Sequence, residues 1–240
     1  RSSDLQKTFT SDRTGSPGQE PALPEGLSVR SALDRVLRLL SVGSKRFLTN
    51  KVDRSVTGLI ARQQCAGPLQ LTVSDVSAIA QSHFTTTGAA ISIGEQPIIG
   101  MLDPAAMARM TAGETLTNLV WAGISKLEDV RCSGNWMWAA KLPGEGAAMW
   151  DAAVALNEAL IDLGIAIDGG KDSLSMAAVV PGSSEDEEET VKAPGALVLS
   201  AYAPCPDIRK IVTPDIKYPG GSEIIFVDLG GGRRRMGASS

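Results

Sequence analysis

The chain has 240 residues, a length that suits one large domain or two small ones, and its 23 Lys and Arg against 27 Asp and Glu leave a formal charge of −4. That balance excludes a uniformly polybasic nucleic-acid binder, though not a local basic patch. A single histidine, His83, excludes mechanisms that need two, and with 25 glycines and 4% aromatics the core must rest on Ala, Val, Leu and Ile.

The three cysteines, Cys65, Cys132 and Cys205, form no CxxC pair. An odd count at wide spacing suits small, reduced, buried thiols in a cytoplasmic protein. No apolar run approaches the roughly 18 residues of a membrane-spanning helix. The opening RSSDLQKTFTSDRTG has no apolar stretch of the signal-peptide kind. The absent leading Met and the closing GGGRRRMGASS read as the ends of a piece of a larger chain.

In chain order, residues 1–26 are polar with Pro17, Pro21 and Pro24, and read as a linker. Ser28 is placed to cap a helix over residues 29–40, with Val29, Leu33, Val36, Leu37 and Leu40 on one stripe. Strand-like runs follow at residues 55–61, 69–80, 89–93 and 97–102. Asp103 before Pro104 starts a long helix to about residue 123, with Ala105, Ala108, Ala112, Leu116, Leu119 and Val120 as its apolar face. A strand is expected over residues 130–138. A second long helix opens at Gly144–Glu145 with Met149, Ala152, Ala153, Leu156, Leu160 and Leu163 on one face, and stops at Gly164.

Strand signals return at residues 165–168 and 196–202. Between them the acidic run of residues 185–189 reads as a solvated hairpin tip. Residues 205–222 form a connector, and residues 223–229 start a strand without a partner in the chain. No internal repeat is visible. Strands outnumber and cluster apart from helices, which predicts an α+β fold with helices on a largely antiparallel sheet.

Five stretches offer chemistry, each with a plain structural alternative. Glu114 and Asn118 in GETLTN are i,i+4 and share a helix face, near Met107, Met110 and Trp121. Their oxygens suit a hard cation such as Mg²⁺; an exposed surface pair is the alternative. Asp75 interrupts a strand-like run, so it marks a strand end, a bulge or a ligand position. Ser74 beside it has a hydroxyl and a backbone to offer a nucleotide. Lys45, Arg46, Lys51 and Arg54 in SKRFLTNKVDRSVTG either steer phosphates or form a solvated loop in which Asp53 and Arg54 pair.

In DGGKDSLSM, Gly169 and Gly170 allow close backbone approach beside Lys171, Asp172, Ser173 and Ser175. The stretch has the chemistry of a phosphate loop without matching a known phosphate fingerprint, and a structural turn is an equal reading. Trp136 and Trp138 line a pocket or pack the core. His83 has no adjacent nucleophile.

Taken together, SKRFLTNKVDRSVTGLIARQQCAGPLQ, the GETLTN helix, CSGNWMWAAKLPGEG and DGGKDSLSM resemble the large, single-chain phosphoribosylformylglycinamidine synthase family, in unbroken order over about residues 23–232. The resemblance implies two aminoimidazole-ribonucleotide-synthetase-like halves, each with an N-type and a C-type domain, followed by a glutaminase domain. On it, residues 27–204 are the N-type domain of the second half, and residues 223–240 are the truncated start of the C-type domain.

The family's reaction converts formylglycinamide ribonucleotide to formylglycinamidine ribonucleotide. ATP phosphorylates the amide oxygen, and ammonia from glutamine displaces the phosphate. The catalytic histidine region and the glutaminase Cys–His–Glu set fall outside this chain, so the piece alone is expected to be inactive. The resemblance assigns an auxiliary ATP/ADP–Mg²⁺ site, with Asp75, Glu114 and Asn118 as metal ligands and Lys45 and Ser74 as nucleotide contacts. It adds Lys171, Asp172 and Ser173 as possible substrate or phosphate contacts. The implied partners are the remaining domains of the same polypeptide, with no nucleic acid and no membrane. The competing reading is a purely structural pairing domain with a degenerate nucleotide site.

Overall fold

The computed structural model describes residues 22–40, 42–48, 58–182, 188–228 and 230–233. Ser28 caps the first helix, α1 (Val29–Val36), through a capping box with Ser31. The helix is shorter than the apolar stripe suggests, because residues 37–40 turn out of it. Lys45 Nζ draws that turn together by donating to the carbonyls of Leu40 and Gly43. No residue of α1 is buried in this chain, so its apolar stripe faces outward.

The remaining elements are β1 (Ile60–Arg62), β2 (Cys65–Ala66), β3 (Thr72–Val73), β4 (Val76–Ala80), β5 (Gly88–Glu95), α2 (Pro97–Gly100), α3 (Pro104–Leu119), β6 (Arg131–Met137), α4 (Glu145–Leu163), β7 (Ala166–Ser173), β8 (Ala177–Pro181), β9 (Glu188–Lys192) and β10 (Ala196–Cys205). Six strands form the main sheet in the order β1-β4-β5-β10-β6-β7. Every neighbouring pair is antiparallel except β6 with β7. A parallel pair needs a long crossover, and α4 supplies it. The α+β class read from the sequence holds.

Alternation along β10 explains the layering. Leu197, Leu199, Ala201, Ala203 and Cys205 are buried on the helical face, in one core with Met107, Ala108 and Ala112 of α3 and Ala152, Leu156 and Leu160 of α4. The other face carries Tyr202 and Ile93, which stay partly exposed. Register puts Tyr202 opposite Ile91, and Ser200 opposite Ile93.

Three element readings need correction. Residues 97–102 are not a strand: Pro97 opens the helical turn α2, since proline lacks a ladder N–H and its fixed φ suits a helix start. The run 69–80 is split at Ser74–Asp75 into β3 and β4, as the strand-poor Asp allowed. Helix α3, capped by Asp103 Oδ1 accepting from Ala106 N–H at 2.9 Å, stops at Leu119 rather than near residue 123.

The buried face of α3 also differs from the apolar reading. Met107, Thr111 and Thr115 are fully buried beside Ala108 and Ala112, while Val120 is 67% exposed. Two of those buried side chains are hydroxylic. Thr115 Oγ1 bonds the Thr111 carbonyl at 2.8 Å and the Leu199 carbonyl at 3.1 Å, which makes its burial tolerable. Gly94 makes the approach possible: a Cβ there would lie 2.5 Å from Thr115 Oγ1.

Helix α4 ends at Gly164 with φ 69°, as its position after Leu163 predicts. The hairpin of β8 and β9 flanks the acidic run; residues 183–187 lie outside the described residues, while Glu188 and Glu189 are exposed on β9. Lys192 at the hairpin's end pairs with Glu145 in the first turn of α4. The connector is strapped to the end of α3. Val212 N–H bonds the Trp121 carbonyl at 2.8 Å and Gly123 N–H the Lys210 carbonyl at 3.3 Å. Beyond it, residues 223–228 pair with no strand among the described residues, and Ile224 and Phe226 are 91% and 88% exposed.

Candidate cation and nucleotide site

The site grows out of a stagger in the sheet. Strand β4 begins at Val76, opposite Ser92, whereas β5 continues to Glu95. Ile93 and Glu95, two residues apart, turn their backbone groups to the same edge of β5. Beyond Ser92 no residue of β4 stands opposite them, so those groups need other partners.

Helix α3 provides the partners. Asn118 Nδ2 donates to the Ile93 carbonyl at 2.9 Å. Glu114 Oε2 accepts from Glu95 N–H at 2.8 Å and from Gln96 Nε2 at 3.0 Å. The i,i+4 spacing puts both side chains over the same stretch of strand. The helix is held there by Ser92 Oγ, which donates to the Thr115 carbonyl at 2.7 Å.

These bonds consume one carboxylate oxygen and the amide nitrogen. Among the described residues, Glu114 Oε1 and Asn118 Oδ1 keep no hydrogen bond. Asp75 is exposed and stands immediately before β4. No Lys or Arg among the described residues forms an ion pair with Asp75 or Glu114. The end of β5 therefore carries Glu114 and Asn118 from α3, and Asp75 immediately precedes β4, the strand paired with β5. This donor set fits a hard divalent cation. Among the described residues no group of three or more His, Cys, Asp or Glu is arranged to hold a metal.

The other predicted residues fall elsewhere. Ser74 adjoins Asp75 but is buried, its N–H bonded to the Gln64 carbonyl at 2.6 Å and its Oγ donating to the Val76 carbonyl at 2.9 Å. Lys45 donates two of its three ammonium N–H groups, to the Leu40 and Gly43 carbonyls, each at 2.6 Å. Lys51, Asp53 and Arg54 lie outside the described residues.

The segment containing Lys171, Asp172 and Ser173 is an edge strand, β7, not a wrapping loop; Lys171 Nζ donates to Ser173 Oγ at 3.0 Å. It stands three strands from β5, roughly 14 Å at ordinary strand spacing. Gly170 serves the sheet itself: a Cβ there would meet the Gly134 carbonyl oxygen at 2.5 Å. Trp138 is core, 1% exposed, with Gly195 pressed against its ring. His83 is exposed and touches Phe84 edge to face.

All three cysteines are free and buried. Burial pushes the Cys132 thiol up to about 11, with the Asp168 carboxylate adding to the rise. Tyr202 donates its hydroxyl to Asp168, and that bond holds its proton more tightly than usual. The polar residues that sequence reasoning missed at the site are Gln96, Ser92 and Thr115. Only Gln96 carried a signal, as a residue disfavoured at the N-cap position it occupies.

A model of the FGAR-AT PurM_N-like domain matches residues 44–204. The chain is 59% identical over 236 residues to the probable phosphoribosylformylglycinamidine synthase, chloroplastic/mitochondrial, of Arabidopsis thaliana, covering 98% of this chain and 16% of that protein. It is 56% identical over 236 residues to the phosphoribosylformylglycinamidine synthase of Homo sapiens, again covering 98% of this chain and 17% of the relative. The chain thus spans about one sixth of the length of the curated relatives it matches. Among solved structures, Thermotoga maritima PurL complexed with AMPPCP superposes with a TM-score of 0.51 at 11% identity, covering 87% of this chain and 29% of that one. At that identity the likeness speaks for the fold alone.

Proposed function

The chain belongs to the FGAR-AT PurM_N-like domain family, and from that membership we propose that it is the N-type domain of the second half of a phosphoribosylformylglycinamidine synthase. In this reading the whole polypeptide is an ATP- and glutamine-dependent ligase of purine biosynthesis. This segment carries no turnover chemistry. It holds a nucleotide through a magnesium ion, as a structural or regulatory element next to the C-type domain. The observation that supports the reading is that Glu114 and Asn118 both reach the end of β5, with the exposed Asp75 immediately before the paired strand β4. Glu114 and Asn118 would each offer the oxygen left over after capping the strand, and Asp75 its exposed carboxylate. The cation would supply charge neutralisation for a diphosphate that these carboxylates would otherwise repel. Lys45 enters this proposal through the third N–H of its ammonium, and Ser74 only after rearrangement, because its N–H and its hydroxyl both already donate to carbonyls.

The cytoplasmic setting belongs to the proposal. Three free, buried cysteines support a reducing compartment, while the Arabidopsis relative's name places that protein in chloroplasts or mitochondria. No helix among the described residues is long and apolar enough to cross a membrane.

The test is the nucleotide content and melting temperature of the full-length polypeptide with and without Glu114→Ala. A ligand bound to the native state alone stabilises it by mass action, so the variant should lose bound ADP and gain less in melting temperature from added ADP than the wild type does. If the variant keeps both, the nucleotide reading fails. A second reading then stands, favoured by the internal use of Lys45, Ser74, Glu114 and Asn118: a pairing domain whose partly exposed sheet face meets the first half of the polypeptide.

A further inference from the structure

We propose, building on the cation reading above, that Gln96 is a positioning residue that fixes which oxygen of Glu114 faces the metal. Gln96 occupies the N-cap position of α2, a place where a side chain normally accepts from the first helical N–H groups. It makes no such bond. Its amide turns instead to Glu114, with Nε2 at 3.0 Å from Oε2. The Glu95 N–H holds the same oxygen at 2.8 Å, so two donors converge on one carboxylate oxygen and leave the other unbonded among the described residues.

The type of donor matters as much as its place. A lysine or arginine at position 96 would restrain the carboxylate and cancel its charge. Two neutral donors restrain it and leave the charge for a cation. The backbone donor alone leaves the carboxylate free to pivot about a single bond; the Gln96 amide closes that freedom. Partners of ligating carboxylates typically govern 10–100-fold in metal affinity. Because Gln96 contributes no cap to α2, its removal should disturb the fold little.

The experiment uses the full-length polypeptide and Mn²⁺ alone as the probe, with free Mn²⁺ read by its paramagnetic resonance signal. The difference between wild type and Glu114→Gln isolates this site from any other in the polypeptide. Gln96→Leu keeps the bulk and removes the donor. It should weaken the Glu114-dependent Mn²⁺ binding by about tenfold, with the melting temperature in chelator unchanged. If Glu114→Gln weakens binding and Gln96→Leu does not, the positioning role is wrong while the cation reading stands. If Gln96→Leu lowers the metal-free melting temperature or does not fold, Gln96 is a structural residue and the proposal is overturned. If neither substitution changes Mn²⁺ binding, the cation reading fails and takes this inference with it.

Discussion

Gly94→Ala is the sharpest test of how the site is held. A Cβ at Gly94 would stand 2.5 Å from Thr115 Oγ1 and 2.6 Å from both Thr111 O and Thr115 N. Two of these three atoms are backbone of α3, so no rotamer change relieves the clash. Restoring an ordinary contact of 3.4 Å requires α3 to retreat by about 0.9 Å. That retreat would stretch the Glu114–Glu95 bond, now 2.8 Å, and the Ser92–Thr115 bond, now 2.7 Å, beyond hydrogen-bonding range. Overpacking alone costs about 1–3 kcal/mol, and each lost hydrogen bond about 1 kcal/mol more.

A net penalty of about 3 kcal/mol should speed amide exchange in β5 and α3 roughly 100-fold, where these amides exchange by local opening. Hydrogen exchange read by mass spectrometry on the full-length polypeptide localises the effect to peptides spanning β5 and α3. Gly113→Ala on the same helix is the control. Its Cβ would meet nothing within 4 Å, and alanine favours the helix by about 1 kcal/mol, so exchange should slow there. Exchange in Gly94→Ala within about threefold of wild type would refute the close-approach argument.

Three further outcomes follow from the same geometry. Thr115→Val removes the hydroxyl bonded to the Thr111 and Leu199 carbonyls while keeping its shape, and should cost about 1–2 kcal/mol, read as faster exchange in α3 and β10. Gly195→Ala places a Cβ 2.1 Å from the Trp138 ring, and the shift it forces should change tryptophan fluorescence and lower the melting temperature; an unchanged spectrum counts against the packing described. Cys132, with its thiol at about 11, should resist iodoacetamide at pH 8 in the native state and react after unfolding. Its folded state keeps the proton where the unfolded state, near 9.0, loses it. That stabilisation is complete below pH 9 and fades as pH rises towards 11, so Cys132→Ala should flatten the alkaline loss of stability.

The sequence carried the two long helices and the strands of the main sheet because their signals are local. Asp103–Pro104 and Gly164 punctuate α3 and α4, and β10 alternates cleanly along its length. It misled where tertiary context decides. The apolar reading of α3 favoured Val120 and passed over Thr111 and Thr115, because a threonine's burial depends on a carbonyl 84 residues away in the chain. The stripe of α1 predicted a helix to residue 40, yet the helix stops at Val36 and none of its residues is buried here. At the site, the shared face of Glu114 and Asn118 was legible from spacing. That their partners would be Ile93, Glu95 and Gln96 was not, since it depends on where β4 starts relative to β5.

That stagger also explains why one pair of side chains supports both a structural and a ligand-binding reading. An open strand edge inside a packed layer costs free energy unless its N–H and C=O groups are paired. At β5, extending β4 by three residues would pair them and close the edge. The chain instead breaks the strand at Ser74–Asp75 and sends two helix side chains down to do the pairing. A neutral pair, such as Gln with Asn, would satisfy those groups without leaving a charge. Glu114 leaves a carboxylate oxygen unbonded among the described residues, and Asp75, immediately before β4, carries a second carboxylate. Capping requires neither of those two charges. The Mn²⁺ measurement asks whether a cation does. Glu114→Gln separates the roles, because it preserves an acceptor for the Glu95 N–H while removing the charge: a purely structural site would keep its stability and have no metal binding to lose.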